Sequence, residues 1–193
     1  MKNHRFRPAT SDDVPRILQI IAQAQRRMAA AGSGQWQNGY PALGNIVSDL
    51  GRGYGHILCC DADSGACGQR ASVAGRNDSE TVVAYGAIVF DGEPAYDALD
   101  GQWLTAGPYV VVHRLAVSDE ALGQGLGRAF LQQTERLARE QGVGAFRIDT
   151  NFDNRRMLHI LASEGFVCCG KIRYESGEWL AFEKRLGGIT ERG

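Results

Sequence analysis

No apolar run in this 193-residue sequence approaches the roughly 20 residues that a membrane-spanning helix needs. The N-terminal residues include several basic side chains but no apolar stretch of the signal-peptide type. An excess of either charge is also absent, since 21 Lys and Arg stand against 22 Asp and Glu. A nucleic-acid-binding protein needs a basic surface, so we expect no nucleic-acid partner. From the lack of long apolar runs we expect no membrane partner and a cytoplasmic location.

The cysteines of the sequence are odd in number, and their spacing does not indicate a metal site. The five cysteines are Cys59, Cys60, Cys67, Cys168 and Cys169, and no two of them have the C-x-x-C spacing. Adjacent residues of a strand point to opposite faces, so neither adjacent pair can present both thiolates to one metal ion. We therefore expect reduced thiols packed as small hydrophobic side chains, and no bound metal.

The most informative stretch is a strand followed by a glycine-rich turn and a helix. Residues 109–117 are rich in β-branched and aromatic side chains and lie between a Gly-Pro and a Ser-Asp pair, which favours a strand. Three glycines follow within residues 123–127, and apolar residues then recur at helical spacing over residues 124–141. Glycines at the start of a helix expose backbone N–H groups at the positive end of its dipole. This arrangement favours binding of a phosphate or pyrophosphate group.

Three classes of phosphorylated ligand can be compared for this turn. A dinucleotide fingerprint requires a third glycine where this chain has Arg128, and only about 40 residues follow the candidate acidic residue Asp149. A nucleoside-triphosphate P-loop is excluded because the turn contains no Gly-Lys-Ser/Thr. The third class is an acyl-coenzyme A.

The stretch resembles motif A of the GNAT superfamily of N-acetyltransferases, in which a strand ending L-x-V precedes Q/R-x-x-G-x-G/A and a helix. Residues 115–117, Leu-Ala-Val, match the strand end, and residues 122–127 match the turn. Leu122 departs from the usual Gln or Arg. A second block, Asn154-Arg155-Arg156-Met157 followed by Leu161 and Gly165-Phe166, resembles the segment on the family's last helix. Leu161 stands where many members have a tyrosine that acts as general acid.

The resemblance covers roughly residues 109–170 and implies the fold. It predicts an α/β protein whose central mixed, mostly antiparallel seven-stranded sheet has splayed parallel strands 4 and 5 and about four flanking helices. We expect a single domain over residues 1–193. Residues 61–80, rich in Gly, Ser, Ala, Asp and Asn, are predicted to form a flexible hairpin insertion.

The resemblance also implies that acetyl-CoA is a co-substrate and that the acceptor is a small-molecule or peptide amine. Its cofactor contacts carry over to Leu115, Ala116, Val117, Leu122, Gly123, Gln124, Gly125, Leu126, Gly127, Arg128, Asn154 and Arg156. A homodimer is expected from the family alone. The alternative hypothesis is a non-catalytic acyl-CoA-binding or sensing module with the same fold, motivated by Leu122 and Leu161.

The general base is predicted from strand alternation and from the family. His113 lies four residues before Val117, so in a regular strand it shares a face with Leu115 and Val117. Some relatives place a histidine here to draw the amine proton through water, and imidazole exchanges a proton near neutral pH. The alternative is a histidine satisfied within the sheet. Arg114 is expected to point to the other face and to pair with an acid.

Aromatic residues supply the remaining candidates. Trp36 and Tyr40 lie in a segment without periodicity and either pack in the core or wall the acceptor pocket. Tyr174, Tyr40 and Tyr109 are rival proton donors for the departing thiolate. His159 lies two positions before Leu161. Because a helix turns about 200° over two positions, His159 does not replace the missing tyrosine and is expected at the surface.

Overall fold

This computed structural model describes residues 4–61, 80–175 and 177–187 of the chain. The strands are β1 His4–Pro8, β2 Gly55–Asp61, β3 Glu80–Val89, β4 Asp100–Gly101, β5 Tyr109–Val117, β6 Ala145–Thr150, β7 Val167–Tyr174 and β8 Gly177–Arg185. The helices are α1 Val14–Ala30, α2 Leu43–Gly51, α3 Leu126–Glu140 and α4 Arg155–Ser163. Short 3₁₀ turns occur at Ser11–Asp13, Pro94–Ala98 and Asp119–Ala121. None of the described helices is long and apolar enough to cross a membrane.

The strands form one sheet in the order β1-β2-β3-β5-β6-β8-β7-β4. β5 and β6 pair in parallel, whereas β1 with β2, β2 with β3, β6 with β8, β7 with β8 and β4 with β7 pair antiparallel. The predicted mixed, mostly antiparallel fold is confirmed. The count of seven strands is wrong by one, because β4 has only two residues and leaves no alternating pattern in the sequence.

The parallel pair is short compared with its strands. Tyr109–Val111 of β5 pairs with Ala145–Arg147 of β6. β5 continues to Val117 and β6 to Thr150 without further pairing to each other. This agrees with the expectation that these two strands separate towards their carboxyl ends.

The chain divides into two compact units by its internal contacts. The first contains Met1–Ala87 and Arg114–Phe130, and the second contains Ile88–His113 and Leu131–Gly193. The single domain expected over residues 1–193 stays a prediction. The hairpin insertion predicted at residues 61–80 lies almost wholly outside the described residues.

The core of the first unit contains one face of α1. Ile17, Ile20, Ile21 and Ala24 recur at helical spacing and are buried. They cluster with buried side chains of α2, β2, β3 and β5: Ile46, Ile57, Cys59, Val82, Tyr85 and Ala116. Burial of this stripe stabilises α1 more than its intrinsic propensity does.

A buried ion pair organises the long connection between β3 and β5 in the second unit. Arg147 of β6 lies 3.4 Å from the fully buried Glu183 of β8 and donates to the carbonyl oxygen of Thr105 at 2.7 Å. The guanidinium carbon is 4.3 Å from the ring centre of Trp103 and 4.0 Å from that of Tyr109. These contacts hold the connection against the sheet of this unit.

Close packing at Gly86 generates a first prediction. A Cβ atom on Gly86 would lie 2.7 Å from the ring of Phe130, which is itself fully buried. We expect Gly86→Ala to lower the free energy of unfolding by about 1–3 kcal/mol, because the buried ring would have to shift within the core. Gly44→Ala is the matched control, since Gly44 is exposed in α2 with no neighbouring atom within 4 Å of such a Cβ. Equal urea midpoints for the two variants would contradict this packing.

The start of α1 generates a pH prediction. Asp13 is buried and accepts hydrogen bonds from Arg7 at 2.8 Å and from the backbone N–H and hydroxyl of Thr10 at 2.8 and 2.9 Å. Burial raises the pKa of Asp13, but these hydrogen bonds lower it more, so the net shift is below its ordinary value of 3.8. The ionised carboxylate therefore contributes stability above pH 3.8 that is lost as pH falls through the lower folded-state pKa.

We expect Asp13→Asn to lower the free energy of unfolding at neutral pH by about 1–3 kcal/mol. The difference from wild type should shrink as the pH falls below 3.8, the ordinary pKa of Asp13. Urea unfolding over a pH series measures it, and Asp12→Asn, in the same turn but exposed, is the control. A difference independent of pH would show that the charge of Asp13 is not what stabilises the turn.

Candidate active site

The glycine-rich turn adopts the backbone that its glycines allow. Gly123 and Gly125 have φ angles of 76° and 77°, a region that other residues rarely enter. Apart from their chain neighbours, no described atom lies within 4 Å of where a Cβ would stand at either glycine. The N–H groups in the first turn of a helix lie outside its own hydrogen-bond ladder. The turn before α3 is therefore open to a ligand that accepts hydrogen bonds from backbone.

Side chains of α1 fix the entry to this turn. Arg27 donates to the carbonyl oxygen of Val117 at 2.8 Å and forms an ion pair with Asp119. Arg16 lies 3.3 Å from a carboxylate oxygen of Glu120. These contacts lie within the first unit and hold the chain from the end of β5 to the start of the turn.

The predicted cofactor residues of the turn differ in what they can offer. The side chain of Leu126 is buried, so this residue can contribute only backbone atoms to a ligand. Arg128 is exposed on the first turn of α3. Leu122 is half-buried in place of the polar side chain usual in the family.

Strand β5 contains an irregular residue at its centre. Arg114 has a φ of 57°, which is left-handed and unfavourable for any residue with a side chain. Period-2 alternation assumes an extended backbone at every residue. The argument that His113 shares a face with Leu115 and Val117 therefore does not extend across Arg114.

Arg114 is the centre of a buried polar network in the first unit. Its Nε donates to Asp49 at 2.8 Å, and its Nη1 donates to the hydroxyl of Tyr40 at 2.7 Å. Tyr85, fully buried, donates its hydroxyl proton to the same Asp49 at 2.6 Å. Burial and the hydrogen bond to Asp49 raise the pKa of Tyr85. The expectation that Arg114 pairs with an acid is confirmed.

The two aromatic candidates of the N-terminal half have different environments. Trp36 is half-buried and packs against the hydrophobic core of the first unit. Tyr40 is 39% exposed, and its backbone carbonyl accepts from Gln25 at 3.1 Å. Trp36 thus has a core contact, whereas Tyr40 presents much of its ring to solvent beside Arg114.

In the second unit, His113 lies beside an acid that sequence analysis did not single out. Its Nε2 atom is 3.0 Å from Oε2 of Glu93. Nε2 is buried and makes no hydrogen bond among the described residues. Glu93 begins the 3₁₀ turn at Pro94–Ala98 and accepts from the N–H of Ala95 at 3.2 Å through its other oxygen.

A second carboxylate, Asp149 at the end of β6, belongs to the same group of residues. It accepts a hydrogen bond from Tyr96 at 2.6 Å and another from Tyr174. Burial raises the pKa of Asp149 and the charge of Glu93 raises it further, while the two tyrosines and His113 lower it. The net pKa is above the ordinary value, so Asp149 holds a proton more strongly than an exposed aspartate does.

These side chains leave hydrogen-bonding capacity unfilled. Besides His113 Nε2, the indole N–H of Trp179 is buried with no hydrogen-bond partner among the described residues. Trp179 packs edge-on against Tyr174, with ring centroids 5.7 Å apart. Because buried polar atoms nearly always have partners in native proteins, these two atoms mark unfilled hydrogen-bonding capacity in the second unit. In the part of the chain that the structure describes, no three His, Cys, Asp or Glu side chains are placed to hold a metal ion.

Helix α4 places its predicted residues in three kinds of position. Asn154 caps the helix, its side chain accepting from the N–H of Met157 at 3.2 Å. Arg156 and His159 are exposed, and the surface position expected for His159 is confirmed. Leu161 is fully buried, so the position of the family's tyrosine belongs to the hydrophobic core here.

The cysteines only partly agree with expectation. Cys59, Cys168 and Cys169 are free thiols, but only Cys59 and Cys169 are buried, so the expectation of packed thiols is wrong for the exposed Cys168. Burial raises the pKa of Cys59 to about 11. Cys60, however, is disulfide-bonded, so the expectation of reduced thiols throughout is wrong for this residue. The spacing of the cysteines in the sequence did not indicate a disulfide bridge at Cys60.

Sequence analysis missed Glu93 and the role of Asp149. Glu93 lies in a long connection without periodicity, so nothing in the sequence relates it to His113, 20 residues further on. Asp149 was considered only as the acidic residue of a dinucleotide site. The sequence did contain a signal for Asp149. This acid lies at the carboxyl end of a strand that was predicted to splay from its neighbour, and ligands bind at such positions in α/β sheets.

Comparison with known proteins gives the family. Residues 50–166 match the model of the acetyltransferase (GNAT) family. A GNAT-family acetyltransferase from Streptococcus agalactiae superposes with a TM-score of 0.76 at 30% identity, covering 94% of this chain and 95% of that one. Among curated protein sequences, none matches the chain significantly.

Two more distant structures share the fold. The structure of yncA from Salmonella typhimurium, solved with its cofactor acetyl-CoA, has a TM-score of 0.60 at 15% identity and covers 99% and 98% of the two chains. The ribosomal-protein-S18-alanine N-acetyltransferase of Escherichia coli has a TM-score of 0.58 at 14% identity, with 99% of each chain covered. The family match and the 30% identical relative together establish that this chain belongs to the GNAT family of acetyltransferases.

Proposed function

We propose that the protein transfers the acetyl group of acetyl-CoA directly to a primary amine of a small molecule or peptide, with His113 as general base. The observation that carries this proposal is the buried Nε2 atom of His113, which makes no hydrogen bond among the described residues and lies 3.0 Å from a carboxylate oxygen of Glu93. A histidine satisfied within the sheet would have a partner for that atom. A cytoplasmic location and a homodimer remain predictions.

The chemistry needs one proton acceptor on the amine side. An alkylammonium first loses one proton to His113, and the nearby carboxylate of Glu93 stabilises the imidazolium that results. The neutral amine nitrogen then attacks the thioester carbonyl, a C–N bond forms and the C–S bond breaks. The nitrogen gives its second proton to solvent, and the departing coenzyme A thiolate takes one from solvent.

For the cofactor, we propose that the backbone N–H groups of the turn at residues 122–127 bind the pyrophosphate of acetyl-CoA. The positive φ angles of Gly123 and Gly125 and the absence of neighbouring atoms over them support this. Backbone of Leu115, Ala116 and Val117 is proposed to contact the pantetheine arm, as the family resemblance implies.

The remaining cofactor candidates are proposed with narrower roles. Asn154 already uses its side-chain oxygen as a helix cap, so a contact with pantetheine would come from its amide N–H₂ group. Arg128 and Arg156 are exposed, which suits electrostatic attraction of coenzyme A phosphates. Tyr40, exposed and held by Arg114, is the better supported of the two aromatic candidates for acceptor binding.

The His113 proposal makes a kinetic prediction. We expect His113→Ala to lower kcat by about 100-fold or more, because general-base catalysis contributes factors of that size. Coenzyme A release, followed by thiol detection with acetyl-CoA and a panel of amines, measures it. His159→Ala is the control, since His159 is exposed on α4 and takes no part in the proposed chemistry.

Three results separate the hypotheses. An unchanged rate and pH profile in the His113 variant would make this histidine structural. Binding of acetyl-CoA by wild type without turnover on any amine would favour the sensing module that Leu122 and Leu161 suggest. Turnover that falls only in the His113 variant supports the proposed function.

The cofactor proposal makes a binding prediction with a matched control. Gly125→Ala and Gly142→Ala each place a side chain at a positive φ, 77° and 72°, with no neighbouring atom within 4 Å. Both should therefore lose a similar stability, about 1–2 kcal/mol. Only Gly125→Ala should weaken acetyl-CoA binding, by about tenfold or more, which corresponds to roughly 1.4 kcal/mol. Calorimetric titration measures this, and equal weakening in both variants would exclude the turn as the pyrophosphate site.

A further inference from the structure

We propose that Glu93 receives the proton from the acceptor amine and passes it to His113, so that the base is this pair and not the histidine alone. The inference rests on the proposed function. It assigns a catalytic role to a residue outside the motifs through which the family is recognised.

The first argument is access. His113 Nε2 is buried from solvent, so an amine at the surface of this group does not reach it in the observed conformation. The neighbouring Glu93 side chain is more exposed, at 25% against 18% for His113. Its Oε2 atom lies 3.0 Å from Nε2. The carboxylate is therefore the member of the pair that an incoming ammonium meets first.

The second argument is orientation. One carboxylate oxygen of Glu93 accepts from the N–H of Ala95 at 3.2 Å, and the backbone N–H of Glu93 donates to the hydroxyl of Tyr109 at 3.0 Å. These two bonds fix the backbone and one side of the carboxylate. The other oxygen faces His113, as transfer of a proton between the two side chains requires.

The third argument is charge. Burial raises the pKa of Asp149, and the negative charge of Glu93 raises it further. The hydroxyls of Tyr96 and Tyr174 donate to Asp149 and add no positive charge. The two carboxylates attract an ammonium group, and their negative charge favours the uptake of a proton by the imidazole.

The step balances without a further reactant. The ammonium first gives one proton to Oε2 of Glu93, which passes it to Nε2 of His113 and leaves the amine neutral. The neutral nitrogen then attacks the thioester carbonyl, so that the C–N bond forms, the C–S bond breaks, and the second proton of the nitrogen reaches the departing thiolate through solvent. His113 returns its proton to solvent through Glu93, which restores the ionised carboxylate and the neutral imidazole.

Glu93→Gln is the first test, because glutamine keeps the size of the side chain and an oxygen that can accept from Ala95. We expect kcat to fall by about 100-fold or more, with acetyl-CoA binding and the thermal midpoint close to wild type. The control is Asp97→Asn, which removes an exposed carboxylate from the same 3₁₀ turn and should leave kcat unchanged.

The double variant Glu93→Gln/His113→Ala provides the readout that a structural role would not give. If the two residues carry one proton in sequence, the double variant should be no slower than the slower single variant, since effects within one unit are not additive. The loss in Glu93→Gln should also be smaller for a weakly basic amine, which arrives already neutral.

The outcomes are separable. Turnover by Glu93→Gln within about tenfold of wild type, or losses that multiply in the double variant, would overturn the pair while leaving acetyl transfer in place. Wild type that binds acetyl-CoA but acetylates no amine would overturn the proposed function itself, and the pair with it.

Discussion

The left-handed backbone of Arg114 is the constraint on which much of the first unit depends. A residue with a side chain enters this conformation at a cost of roughly 1–2 kcal/mol. Here the cost is offset by two hydrogen bonds from the guanidinium to Asp49, which is almost fully buried. Removing either partner would leave a buried charge uncompensated, which typically costs about 3–5 kcal/mol. The irregular strand and the ion pair therefore stabilise each other.

This single residue also separates two kinds of chemistry along β5. His113, immediately before it, carries an ionisable side chain beside Glu93. Leu115, Ala116 and Val117, immediately after it, are apolar and lead to the glycine-rich turn, where Gly123 and Gly125 leave backbone uncovered. A regular strand would impose one alternation on both parts, and the left-handed backbone of Arg114 interrupts that alternation.

What the sequence could predict follows from how local each signal is. The bounds of β5, and to within two residues those of α3, depend on neighbouring residues and were predicted from the sequence. The bond between Arg114 and Asp49 joins residues 65 positions apart, and arginine has no preference for left-handed backbone. No pattern could reveal it. Glu93 was missed for the same reason, because its relation to His113 exists only in the folded chain.

The distribution of ionisable groups suggests which half of the reaction the protein assists. Leu161 fills the core where relatives have a tyrosine, so no hydroxyl is available at that position to protonate the thiolate. Burial and the charge of Asp149 raise the pKa of Tyr96, which makes this hydroxyl a poor proton donor. A thiol is nonetheless acidic enough, with a typical pKa of about 8.5, for its thiolate to leave without a general acid. An alkylammonium, which resembles the lysine side chain with its pKa of about 10.4, needs a base before it can attack. For the proposed reaction, the placement of Glu93, His113 and Asp149 therefore matches a difficult step that removes a proton from the amine.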